Sequence, residues 1–333
     1  MAGGQERILR RRIRTVQSTK KITRAMELIA ASRIVKAQAR VHAAQPYSDK
    51  ITEVVQDLAA AGAGTDSPLL VPRPEIHRVA HIVFTADRGL CGAYNSSVVR
   101  AAEGSIREQA ELGRDYSLVV VGRKAESYFR YRNYRIDAVF TGFSDNPSYE
   151  DARRIAASVE PRFLSGDVDL VELVYTRFIS AGSQEVVRRP LMPLDRELLG
   201  DSESTPPRGG PPPEGSDLPW EGPGPDYEFE PSPTEILERL LPRYAEARVY
   251  AALLNAAASE HAARQRAMKA ATDNADELIT TLTRVMNRAR QDAITTEIME
   301  IVGGAEALRQ SSETGDHSAM ISHFVTEEAR STA

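Results

Sequence analysis

Apolar and polar positions alternate in two different rhythms along this chain: steps of three and four at both ends, and shorter runs between them. From Pro233 to about Ala307 a single helical pattern continues for roughly seventy residues, about 100 Å of helix at 1.5 Å per residue, with no proline after Pro242. Its seam passes through Leu240, Tyr244, Ala247, Ala251, Leu254, Ala258, His261 and Gln265, then Met268, Thr272, Ala275, Ile279, Leu282, Met286, Ala289 and Ala293. That 3.5-residue repeat predicts a left-handed coiled coil. Most seam residues are small, so a partner helix can approach closely while little apolar area is buried per turn.

The candidate partner lies at the other end. Residues 3 to about 60 read as a second long helix, with Pro46 expected to bend it because proline cannot donate to the carbonyl four residues back. Ile13, Val16, Ile22, Met26, Ile29, Ile51, Val54 and Leu58 mark an apolar stripe. If the chain between these ends folds compactly, the two helices pair antiparallel.

Between them the period changes. His77–Phe84, Tyr116–Val121, Tyr134–Phe140, Val168–Phe178 and Glu185–Pro190 read as strands. Ala93–Leu112, Lys124–Tyr131 and Ser148–Leu164 read as helices. The alternation predicts βαβ units and a mostly parallel, Rossmann-like sheet. The organisation expected is therefore a coiled-coil helix over 1–60, an α/β domain over 76–195, an insertion over 196–232, a second coiled-coil helix over 233–307 and a polar, disordered tail over 308–333. The insertion is set apart by composition: ten of nineteen prolines, six glycines and eight acids fall within residues 199–233. Such a stretch buries too little to order itself.

Charge adds one feature. Between Arg7 and Arg40 stand eleven Lys or Arg against Glu27 alone, although the chain as a whole carries −5. A solvated helix face is the plain reading. Residues 1–46 hold no Phe, Tyr or Trp, so the stacking platform of a single-strand nucleic-acid binder is missing. An acidic protein partner is the better functional candidate. Cys91 is the single cysteine, which excludes an internal disulfide and fits a reducing compartment. No run approaches the eighteen apolar residues of a membrane span. The Arg-rich start is read as helix rather than transit peptide, since it passes unbroken into the helical pattern.

The most distinctive loop is Asp87-Arg88-Gly89-Leu90-Cys91-Gly92-Ala93-Tyr94-Asn95, at the end of the first strand. In a doubly wound fold a phosphate binds there. Yet its glycines are spaced G-x-x-G, without the dinucleotide fingerprint or a Gly-Lys-Ser/Thr. The structural reading suffices: glycines allow positive φ, Asp87 takes up loop or helix-start N–H groups, and Cys91 is a small buried hydrophobe, although nearby Arg88 is placed to lower its pKa.

Three stretches taken together carry a resemblance: STKKITRAMELIAASR in the first helix, TADRGLCGAYN in the loop, and ASEHAARQRAMKAATDNADELI with NRARQDAITTEIMEIVGGA in the last helix. In order and spacing they resemble the gamma subunit of F-type ATP synthases over residues 1–195 and 226–307. The resemblance implies a central-stalk rotor without a catalytic site or cofactor, on the cytoplasmic face of a bacterial plasma membrane. Its implied partners are three alpha and three beta subunits, the epsilon subunit and the membrane c ring. It places Arg290, Gln291 and Thr295 against a beta-subunit loop, with Arg264 in another beta-facing position. Met26, among Lys20, Lys21 and Arg24, faces an acidic beta segment, and Tyr227, Glu228 and Glu230 face the c ring or epsilon. Asp87, Arg88, Gly89, Cys91 and Gly92 form the family loop. The alternative to a rotor is a coiled-coil scaffold whose α/β domain binds a ligand at residues 89–92. Two departures stand out: the acidic insertion is long and lacks cysteine, and the tail extends past the family's usual end.

Overall fold

The computed structural model of the chain describes residues 2–60, 67–194 and 232–328, with side chains over 5–58, 67–194, 232 and 234–309. The insertion containing Tyr227, Glu228 and Glu230 lies outside the described residues. Helix α1 spans Ala2–Ala60 and α5 spans Pro233–Glu328. Between them run β1 (Arg78–Phe84), α2 (Tyr94–Glu111), β2 (Asp115–Val121), α3 (Arg123–Tyr131), β3 (Ala138–Phe140), α4 (Tyr149–Leu164), β4 (Leu170–Phe178) and β5 (Gln184–Met192). By internal contacts the chain divides into two units, Met1–Arg24 with Ala270–Ala333, and Ala25–Lys269.

The second unit holds a five-stranded sheet in the order β3-β2-β1-β4-β5. Parallel pairs join β1 to β2, β1 to β4 and β2 to β3; β5 closes the edge antiparallel to β4. Strands β1 and β2 are buried on both faces, which is why they read as continuous apolar runs rather than alternations. One face packs Val83, Leu118, Val120 and Val174 against α2 and α3. The other packs Ile82, Phe84, Val121 and Leu173 against α4 and against segments of α1 (Ile51, Val55, Leu58) and α5 (Leu237, Leu241, Val249, Leu253). This accounts for the Ala-rich stretch of α5 between Tyr244 and Arg264, buried on nearly every side and not along a seam alone.

Beyond that stretch the seam returns. In the first unit, Thr272, Ala275 and Leu282 are buried, and Ile279, Met286, Ala289 and Ala293 half-buried, while most of their neighbours are exposed. Thr23 and Thr272 share a hydrogen bond of 2.8 Å, and Lys20 pairs with Asp276. The partners ascend on α1 as they descend on α5, so the helices run antiparallel.

Three expectations need correction. The buried stripe of α1 passes through Ile13, Thr23, Glu27, Ala30 and Ile34, leaving Ile22, Ile29 and Val54 exposed. Against an Ala- and Thr-rich partner a small or polar residue fits the seam, so hydrophobicity alone selects the wrong face. Strand β3 begins at Ala138 rather than Tyr134, because the chain leaves α3 through Asn133 at φ 59° and the Tyr134 N–H bonds back to Phe129. Finally, α5 continues to Glu328 where the sequence suggests an end near Ala307 and a disordered tail. Gly303 and Gly304 weaken a helix by about 1 kcal/mol each relative to alanine, but no proline forbids its continuation.

Candidate functional site

The loop after β1 is where the two most characteristic stretches of the sequence meet. At its head Asp87 accepts from the Arg123 N–H at the start of α3 (3.1 Å), and from the N–H groups of Gly142 (2.8 Å) and Ser144 (3.1 Å) beyond β3. The Ser144 hydroxyl accepts from the Asp87 N–H in return. One carboxylate thus ties together the loops leaving β1, β2 and β3. These are the carboxyl ends of parallel strands, the crevice where such folds bind anions, and the chain's own acid occupies the donors. A phosphate at residues 89–92 would meet the Asp87 carboxylate nearby, so the scaffold reading is not favoured.

Asn95 reaches back to the Ala86 N–H and donates to the Cys91 sulfur. Positive φ falls on Gly92 (57°) and on exposed Leu90 (63°), so only one of the two expected glycines is required for backbone conformation. Cys91 is 1% exposed. Burial pushes its thiol up, and the nearby cation opposing that shift is Arg264 rather than Arg88.

The loop is clamped to α5. Tyr94 donates its hydroxyl to the Ala256 carbonyl at 3.1 Å, and Arg264 donates to the carbonyls of Gly89 (3.3 Å) and Arg88 (3.5 Å). Arg264 also pairs with Glu260 at 2.8 Å, their side chains 10% and 1% exposed. Burial pushes the Glu260 carboxyl up, with the Arg264 guanidinium opposing it. Arg264 therefore faces inward within this chain, bracing the family loop.

One turn away, His261 is buried with its Nε2 3.2 Å from the Asp145 carbonyl and its Nδ1 without a partner. Arg33 pairs with Asp145 at 2.5 Å. A second proton on His261 would sit at Nδ1 with no acceptor, beside the cations Arg264 and Arg33. Burial, the largest cause, lowers its pKa from 6.5. The folded imidazole stays neutral where the unfolded one charges, so stability present above pH 6.5 is lost as pH falls toward the folded value. We expect His261→Asn to flatten that segment of the unfolding free energy against pH in urea titrations; an unchanged slope would remove His261 as its source.

The remaining predicted residues lie elsewhere. Arg290, Gln291 and Thr295 are exposed on α5, where the Thr295 hydroxyl donates to the Gln291 carbonyl. Lys21 and Arg24 are exposed, Lys20 is drawn to Asp276, and Met26 is half-buried. Sequence reasoning missed Glu260, although Glu four residues before Arg is a recognisable helical pair.

A family model for ATP synthase matches residues 5–308. The ATP synthase gamma chain of Frankia casuarinae is 52% identical over 309 residues, covering 92% of this chain and 98% of that one. The chain belongs to the ATP synthase gamma family. The gamma chain of Mycolicibacterium smegmatis is 48% identical over 316 residues, 91% of this chain and 97% of its own length. In fold, this gamma-family chain matches the rotor of Euglena gracilis mitochondrial ATP synthase with TM-score 0.57, at 16% identity over 88% of this chain and 99% of that one. The central stalk and c-ring structure from Tetrahymena thermophila gives TM-score 0.53 at 24% identity, covering 75% and 99%.

Proposed function

We propose that this gamma subunit is the rotating central shaft of an F-type ATP synthase. In this reading it sits within three alpha and three beta subunits, is joined at its foot to epsilon and a c ring, and is peripheral to a bacterial plasma membrane on its cytoplasmic face. It carries out no bond chemistry itself. Among the described residues no helix is long and apolar enough to cross a membrane, and no acid, His and Cys cluster could hold a metal.

The observation that carries the reading is the condition of α5 beyond Ala293. Every described residue from Ile294 to Arg309 is exposed, including Ile294, Ile298, Met299, Ile301, Val302 and Leu308. A helix face of this kind asks for cover by other chains. The basic face of α1, with Ile22 and Ile29 bare beside it, asks for a partner that is both acidic and apolar. Mechanistically, a shaft shifts the conformational equilibria of otherwise equivalent catalytic subunits only through contacts that differ among them. The clamp of the family loop on α5 would keep the α/β domain from turning independently of the helix it drives.

Co-expression with alpha and beta subunits from the same organism tests this. One copy is expected to purify with three of each and to be required for cooperative ATP hydrolysis; recovery of an alpha–beta assembly that never retains the chain would refute the reading.

A further inference from the structure

Away from the family loop, the face of the sheet that meets α1 and α5 encloses a cavity of about 650 Å³. Its chemistry is unusual for a space inside a structural subunit. Four arginines line it, Arg177 and Arg189 from the sheet and Arg243 and Arg248 from α5, against the single acid Asp49. The strand register explains the convergence. Leu173 pairs with Arg189 and Tyr175 with Val187, so Arg189 shares the face of Leu173, Tyr175 and Arg177, which alternate on β4. Arg188, one residue away, points to the other face and pairs with Glu108. Neither Arg189 nor Arg243 has a carboxylate partner among the described residues.

Aromatic rings interleave with these charges. Tyr47, Tyr149, Tyr175, Tyr244 and Tyr250 all line the cavity. Tyr149 and Tyr250 pack edge to face at 5.6 Å. The Arg248 guanidinium lies 5.7 Å over the Tyr244 ring and donates to its hydroxyl at 3.0 Å. Tyr149 donates to Glu246, which keeps that acid engaged outside the lining. Arg189 and Arg243 bring two cations without a carboxylate to one recess, where they disfavour one another, and a structural role alone gives no reason to set them among tyrosines. The volume lies within the range of small-molecule sites. Guanidinium forks match phosphate oxygens in pairs, and tyrosine faces accept a flat or apolar body.

We propose that this cavity binds a phosphorylated small molecule, its phosphate held by Arg189 and Arg243 with Arg177 and Arg248, and its body laid against the tyrosines. The site is distinct from the crevice at residues 87–92 and independent of the rotor reading, since a shaft assembles and turns with or without it. Two sources supply such chemistry, a nucleotide and a phospholipid headgroup.

The test is isothermal titration of the full-length chain with ADP and, separately, with monomeric dihexanoyl phosphatidic acid. Saturable one-to-one binding of either probe is expected, weakening as salt is added. An Arg189→Ala/Arg243→Ala variant should lose affinity about tenfold for the probe that binds, as expected for lost charge-assisted hydrogen bonds. Arg243 is exposed and Arg189 half-buried, and circular dichroism should show the variant folded. ADP binding alone assigns a nucleotide, phosphatidic acid alone a headgroup. Failure of both probes to saturate, or binding equal in the variant, overturns the proposal.

Discussion

Replacing Arg264 by Ala is expected to destabilise the chain by about 3–5 kcal/mol, the usual cost of removing one partner from a buried ion pair. The magnitude follows from what is left behind. Glu260 is nearly inaccessible, and without the guanidinium its charge has neither water nor a counter-ion. The Gly89 and Arg88 carbonyls lose their donors in the same step. Glu260 has one escape, which is to take up a proton, and burial already pushes its carboxyl that way. A raised folded pKa contributes stability that is present below the unfolded value, 4.5 for this group, and lost as pH rises through the folded one. The deficit of the variant should therefore be larger at pH 8 than at pH 5.5. Urea unfolding at both values measures it. Replacing both residues by methionine should cost far less than the single change, because well-packed apolar groups substitute for a buried pair at little loss. A loss below about 1 kcal/mol at pH 8, typical of an exposed pair, would show that the clamp is not a structural brace.

The second large effect concerns coupling and leaves folding nearly untouched. Arg290→Ala/Gln291→Ala should change the stability of the isolated chain by no more than about 0.5 kcal/mol, as for other exposed sites. Both side chains are exposed, and Arg290 has no carboxylate partner among the described residues. In the assembled complex, ATP turnover should fall by about tenfold or more, which corresponds to about 1.4 kcal/mol of lost differential contact. The contrast between the two readouts is the point: a shaft residue that matters only to its sleeve is silent when the sleeve is absent. Equal turnover in the variant complex would remove both residues from the coupling surface.

Much of the architecture is legible in the residues because the relevant forces are local and periodic. The seam of α5 from Leu240 to Ala293 is buried or half-buried at each position the 3.5 repeat selects. The strands fall where apolar runs are bounded by turns, and Asp87 caps N–H groups as its place before a turn suggests. What escaped has a common cause, namely that side-chain polarity does not report the size of the neighbour. Thr23 and Glu27 occupy the α1 seam because α5 is thin there, while Ile22 and Ile29, better hydrophobes, face away. Arg264 looks like an outward charge on a long helix until the run of alanines around it is taken as a sign that this stretch is enclosed on all sides. The four arginines of the cavity lie up to seventy-odd residues apart in the chain: the strand register brings Arg177 and Arg189 to one face of the sheet, and the packing of α5 on that face adds Arg243 and Arg248.

The bare end of α5 has a consequence for how the cell must handle this protein. Ile294, Ile298, Met299, Ile301 and Val302 lie within nine residues of one another on a helix that nothing else in the described chain covers. A strip like that adheres to its own copies when no other company is present. Synthesis of the chain therefore has to be matched to that of whatever sheathes it, and surplus copies become substrates for chaperones and proteases.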